Sequence, residues 1–164
     1  MRKHASDRPV GRFGVVGYAV PIAMLLRLLL QAAIAAAPAP VFVVVLHLVL
    51  RRGFDAYAQL NGLDVPMHFL GGVAIAHFHA VVLGALVRGR ELFVPQRIVM
   101  AALIVALSTA AAVVWEFVEL LSDVTLGTDA QGGNLDTMGD LAMGILGATV
   151  YVALAPQRRS AEAH

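Results

Sequence analysis

Six residues of this 164-residue chain combine types and spacings that could do chemistry: Asp64 with His68, Glu116 with Glu119, and Asp136 with Asp140. Imidazole and carboxylate together suit zinc, manganese or iron, carboxylates alone suit magnesium or calcium, and either group can serve as a general acid or base. Within each pair the members stand three or four residues apart. On a helix, at about 100° per residue, such side chains diverge by only about 40 to 60° and share one face. The chain has no cysteine, so disulfides, thiolate nucleophiles and Cys-based zinc or iron–sulfur sites are excluded. No serine nucleophile motif competes with the acids and the histidine.

The elements that must position these residues are membrane spans. The sequence is 59% hydrophobic and only 14% charged, too apolar for an ordinary soluble domain. Twelve Lys and Arg stand against eleven Asp and Glu, a net charge of +1, which leaves no basic face to neutralise a phosphate backbone and argues against nucleic acid as a partner. Residues 13–37, 65–87, 98–121 and 137–155 each form an apolar stretch long enough to cross a bilayer. Residues 38–60 hold a shorter apolar run ending at Arg51 and Arg52, which reads as an interfacial or half-inserted helix. The expected fold is an all-α, multi-pass transmembrane bundle of four spans plus that short helix.

Charge sets the expected orientation. Residues 88–97 carry Arg88, Arg90 and Arg97, whereas residues 122–136 contain no Lys or Arg. With four spans and both termini cytoplasmic, nine basic residues lie inside and two, Arg51 and Arg52, outside; a fifth crossing at 38–60 would spoil that bias. The chain then divides into a basic cytoplasmic N-terminus at 1–12, the first span and interfacial helix at 13–63, a three-helix core at 64–155 and a cytoplasmic tail at 156–164, in the inner or plasma membrane. An alternative takes residues 1–37 as a signal peptide, with a basic start and an Ala-rich site near Ala35 to Ala37.

Successive spans run antiparallel, so the start of the second, the end of the third and the start of the fourth fall on one membrane side. The six residues should therefore gather at one depth, on the outer side. An ionised carboxylate within a span costs roughly 2.5–3.5 kcal/mol, and five close together also repel. Compensation can come from protonation, from a cation such as Arg27 in the first span, from a bound divalent metal, or from water at the outer face. In a competing interpretation the acids form a solvated rim, with Asp64 and Asp136 acting partly as N-caps.

Other polar residues carry less. His77 and His79 lie on the second span, His79 about 16 Å deeper than His68 and too far to share its metal; buried histidines with satisfied hydrogen bonds account for them better than a proton path. His47 carries no signal. Gly71, Gly72, Gly84, Gly139, Gly144 and Gly147 sit in apolar helices and read as close-packing positions rather than a phosphate loop. Trp115 packs or anchors near Glu116. Residues 131–134 form either a lid or a plain connector.

The strings Asp64-Val-Pro-Met-His68-Phe-Leu-Gly71, Trp115-Glu116-Phe-Val-Glu119, Leu126-Gly127-Thr128-Asp-Ala-Gln131-Gly132 and Asp136-Thr137-Met-Gly-Asp140-Leu141 together resemble an uncharacterised bacterial membrane family typified by YjdF. The looser order of Asp/His, Glu, Asp is similar to VanZ-like membrane proteins. The resemblance covers roughly residues 64–148. Met67 stands where that family often has Gly, and Leu135 where it has Trp, so helix packing and loop anchoring should differ. The resemblance implies a multi-pass membrane protein connected with the cell envelope and supplies no reaction.

Three functions compete. In the first, His68, Glu116, Glu119, Asp136 and Asp140 are the catalytic residues and, with Asp64, the metal ligands of an enzyme acting on a lipid or envelope precursor at the outer leaflet. The second is a cation or proton pathway, weakened by the nearly all-apolar cytoplasmic halves of the last two spans. The third is a non-catalytic envelope subunit or ligand binder. Whether the protein is an enzyme, which metal it takes and its oligomeric state are not readable from the residues; the first function is favoured because five acids at one depth are costly for packing alone.

Overall fold

The computed structural model describes residues 21–60, 62–88 and 97–155. Among them every regular element is helical. The elements are α1 (Ile22–Ala36), α2 (Pro38–Leu48), a widened π-type turn (Val49–Gly53), α3 (Ala56–Gln59), α4 (Asp64–Arg88), α5 (Arg97–Leu126) and α6 (Asn134–Leu154). At 25, 30 and 21 residues, α4, α5 and α6 are each long and apolar enough to cross a bilayer. Proline does not interrupt them, since Pro66 falls in the first turn of α4, where its missing N–H has no helical partner to lose.

α1 and α2 form a bent pair of the kind made by a broken span or by a re-entrant loop, the second being the half-inserted helix expected at 38–60. Pro38 opens α2 after a one-residue break at Ala37, and α1 and α2 are bent by 46°. Together they are long and apolar enough for one span, and both pack on α4. Proline at a helix start keeps φ but removes a donor, which allows such a break without unwinding either side. The bent pair with α4, α5 and α6 makes a multi-pass bundle of three to four candidate spans. Of the basic residues behind the orientation argument, Arg51, Arg52, Arg88 and Arg97 lie among the described residues and the rest outside them, as do the start of the first span and the N-terminal part of the alternative signal peptide.

α4 is the hub, touching α1, α2, α5 and α6, and its closest partner is α6. The contact is made by small residues, because dispersion replaces the hydrophobic drive between helices in lipid and grows with backbone proximity. Ala76, Ala148, Gly144 and Gly147 are buried along it. A methyl group built on Gly72 would overlap the Gly144 carbonyl, and one on Gly147 the Phe69 carbonyl. Gly71 and Gly139 differ from the close-packing expectation: a Cβ there would meet open space. Many large apolar side chains, Phe42, Phe117 and Leu121 among them, face outward, while Met67, Leu83 and Ile104 are buried, as a lipid solvent permits.

Candidate functional site

Helix α4 starts, α5 ends and α6 starts at one end of the bundle, and the polar residues meet there. His68, one turn into α4, is the centre. Its Nε2 lies 3.3 Å from Asp64 Oδ1 and 3.7 Å from Asp140 Oδ2, and its Nδ1 lies 3.9 Å from Glu116 Oε1. Asp64, His68 and Asp140 place their ligand atoms within 4.8 Å of one another, and so do His68, Glu116 and Glu119. Two sets of acids thus address the two nitrogens of one ring. Glu116 and Glu119 are each 6% exposed and Asp140 3%.

Partners differ sharply among these acids. Trp115 Nε1–H donates to Glu119 Oε1 at 2.9 Å across one helical turn. Among the described residues neither buried carboxylate oxygen of Glu116 makes a well-formed hydrogen bond; the Thr137 hydroxyl lies beside it and is itself unpaired in good geometry. Burying an unpaired charge is costly, so an unsatisfied carboxylate at this depth asks for a cation or a proton. Among the described residues every close ion-pair contact to these acids runs through His68. Arg27 is exposed on α1 and makes no such contact, so it is not the counter-ion its mid-span position suggested.

Five of the six residues converge and Asp136 does not. α6 begins at Asn134, earlier than the hydropathy boundary at 137, so Asp136 lies in its first turn, about 6 Å outward of Asp140. There it is exposed, and its Oδ2 accepts the Gly132 N–H at 3.0 Å. An acid in a first helical turn also meets the positive end of the helix dipole. Asp136 thus fastens the turn before α6 from within the helix and is not the N-cap expected of it, a position Gly133 holds without a side-chain cap bond, while Asp64 turns inward to His68.

Three aromatic-side partners were not legible as site residues. His47 Nδ1 is 2.7 Å from the Tyr57 hydroxyl, and its ring meets the Trp115 ring edge-on at 5.7 Å between centroids. Burial, then the charge of Asp64, pushes the Tyr57 hydroxyl up to about 12, so the phenol stays protonated and can donate to His47. No spacing rule could have found this trio, because its members come from α2, α3 and α5. By contrast His77 pairs with the Tyr151 hydroxyl at 3.1 Å and His79 with the Ser108 hydroxyl at 3.2 Å, which supplies each with a partner.

The connector between α5 and α6 is tied by Asp123, which lies in the last turns of α5 because that helix runs on to Leu126. Its carboxylate accepts the Thr128 hydroxyl at 2.5 Å and the amides of Ala130 and Gln131 at 2.7 and 2.9 Å. Gly127, at φ 65°, makes the left-handed turn that sends the chain back, with its amide on the Asp123 carbonyl. Arg51 donates to the Asp129 carbonyl at 2.9 Å and so ties the π-type turn to this loop. Asp123→Ala should raise amide exchange at Ala130 and Gln131 ahead of the helices; unchanged protection at both amides would show that the carboxylate does not organise the loop.

Comparison with known proteins agrees with this architecture. A family model described as predicted membrane protein (DUF2238) matches residues 14–160, extending the likeness from the three-helix core over α1 and α2. No curated protein and no solved structure matches the chain.

Proposed function

The chain belongs to the DUF2238 family of predicted membrane proteins, and from that premise we propose that its His/carboxylate cluster is a divalent-metal centre acting on a lipid or envelope precursor. The observation that carries the proposal is the Glu116 carboxylate, buried and unpartnered beside His68 Nδ1. His68 Nδ1, Glu116 and Glu119 are the ligands in this reading. Three protein ligands leave a coordination position for substrate, the usual feature of a catalytic rather than a structural site. Asp64, 3.3 Å from Nε2, accepts its proton and so holds the ring in the tautomer that frees Nδ1, with the Asp140 carboxylate at 3.7 Å adding negative charge on the same side. Trp115 fixes the Glu119 carboxylate by donating to one oxygen.

Mixed imidazole and carboxylate donors favour zinc, manganese or iron(II) over magnesium or calcium. A bound divalent ion supplies Lewis-acid activation of a phosphoryl or carbonyl oxygen. Charge supports the assignment: four carboxylates surround one imidazole, and a doubly charged cation offsets two of them where a protonated ring offsets one. The distribution of basic residues supports cytoplasmic termini and an extracytoplasmic centre, and the VanZ-like order of acids and histidine supports an envelope role.

Metal analysis and titration with Zn2+ and Mn2+ of the detergent-purified protein test the reading. One ion per chain is expected, lost in His68→Ala and Glu116→Gln, weakened roughly 10- to 100-fold in Trp115→Phe, and retained in Asp136→Asn. Absence of stoichiometric metal, together with no thermal shift on adding either ion, would remove the proposal.

A further inference from the structure

A cavity of about 140 Å³ runs from the His68 centre toward the middle of the bundle. Val43 and Val44 on α2, Gly71 and Ile75 on α4, and Ala111 and Ala112 on α5 wall it with apolar surface. His68 and Trp115 stand at one end and Ser108 at the other. The bare Cα of Gly71, to which a Cβ could be added without meeting any atom, leaves the space open on the α4 side. Ser108 offers no free polar group, since it is 4% exposed and bonded to His79.

The walls do not close on one another. α2 and α5 each pack on α4, yet scarcely touch each other. Their principal meeting is the edge-on contact of His47 with Trp115, at the polar end. Below it the seam between α2 and α5 faces the bilayer, bordered by exposed Val44 and Val45 on one side and Val114 on the other. An apolar rim on helices of this length and hydropathy admits lipid sideways in preference to an aqueous solute.

We infer that this slot binds one acyl chain of a glycerophospholipid, admitted laterally between α2 and α5, with the ester and head group presented to the His68 centre. The inference takes from the metal-centre reading only the role of the head group. Volume fits one chain segment and not two: an apolar cavity of about 150 Å³ accommodates benzene, hence about six carbons. Direction fits as well. The polar end lies toward the membrane surface and the apolar end about 10 Å deeper, from His68 to Ile75 on α4, which is how a phospholipid lies in its own leaflet. An occupant with its chain in the slot would arrive at the metal ligands already oriented, with the fewest freedoms left to lose.

Photolabelling in vesicles of phosphatidylethanolamine and phosphatidylglycerol tests this, with a phosphatidylethanolamine probe carrying a diazirine near the sixth carbon of one acyl chain. Labelling should concentrate on the peptides of Val43, Val44, Ala111 and Ala112, above the level at lipid-facing Phe117. Gly71→Leu, which fills the slot, should cut the concentrated labelling about tenfold, the loss expected from roughly two methylenes no longer buried, and leave Phe117 unchanged. Ala111→Leu serves as the second filling variant, with thermal melts confirming that each is folded. Uniform labelling insensitive to both variants would overturn the inference, as would preferential labelling by a diazirine-bearing polyprenyl phosphate. Two readouts separate the two proposals: slot labelling that persists in Glu116→Gln after the metal is lost supports the slot, and unfocused labelling of a wild type that binds its metal removes the slot while sparing the centre.

Discussion

Gly147→Val is expected to lower the stability of the detergent-solubilised protein by about 3 kcal/mol or more, enough to deplete the folded fraction. A Cβ at this position would overlap the carbonyl of Phe69 and crowd the amide of Val73, so the obstacle on both counts is main chain. No rotamer change relieves it, and α6 must move away from α4. Gly139→Ala is the matched control, because a Cβ there meets nothing and alanine is the better helix former by about 1 kcal/mol. Thermal unfolding followed by size-exclusion fluorescence measures both. A Gly147→Val melt within about 2 °C of the wild type would mean that α4 and α6 do not approach each other backbone to backbone.

Glu116→Leu should separate stability from binding in opposite directions. In chelator, removing a carboxylate whose two oxygens are buried without partners should stabilise the protein by about 1–3 kcal/mol, since an apolar group of similar size has no desolvation to recover. With Zn2+ or Mn2+ added, the wild type should gain about 2.7 kcal/mol at a hundredfold excess over its dissociation constant, and the variant nothing. Glu116→Gln should lose the ion without the gain in chelator, because its amide is still buried and polar. A Glu116→Leu protein that melts below the wild type in chelator would show that the carboxylate is already satisfied by protein or water.

Much of this was legible in the residues, and the failures have identifiable causes. Length and hydropathy locate α4, α5 and α6 to within a few positions, because a span needs about 20 apolar residues and little else in the chain supplies them. The end of α5 was missed: Ser122, Asp123 and Thr125 look like loop residues, yet the hydroxyls of Ser122 and Thr125 bond back to the carbonyls four residues earlier, and the helix continues. The relation of residues 13–37 to 38–60 depends on the angle at Ala37, which no periodicity encodes. Asp64, His68, Glu116, Glu119 and Asp140 converge because spacings of three or four residues fix a shared face and antiparallel spans fix a shared end. Asp136 has the same spacing and fails because its helix starts one turn earlier and the Gly132 amide claims its carboxylate. His47, Tyr57 and Arg51 were silent, since each acquires meaning only from a partner on another element.

The link from Arg51 to the Asp129 carbonyl has its own significance. Its acceptor is a neutral peptide oxygen, which cannot take up a proton in water at any ordinary acidity, and its donor is permanently cationic. The tether at the bundle's polar rim is therefore indifferent to how many protons the nearby acids carry. The same loop is also held by the Asp123 carboxylate through the Thr128 hydroxyl and the Ala130 and Gln131 amides, so acid can loosen that half of the loop while the Arg51 end stays tied.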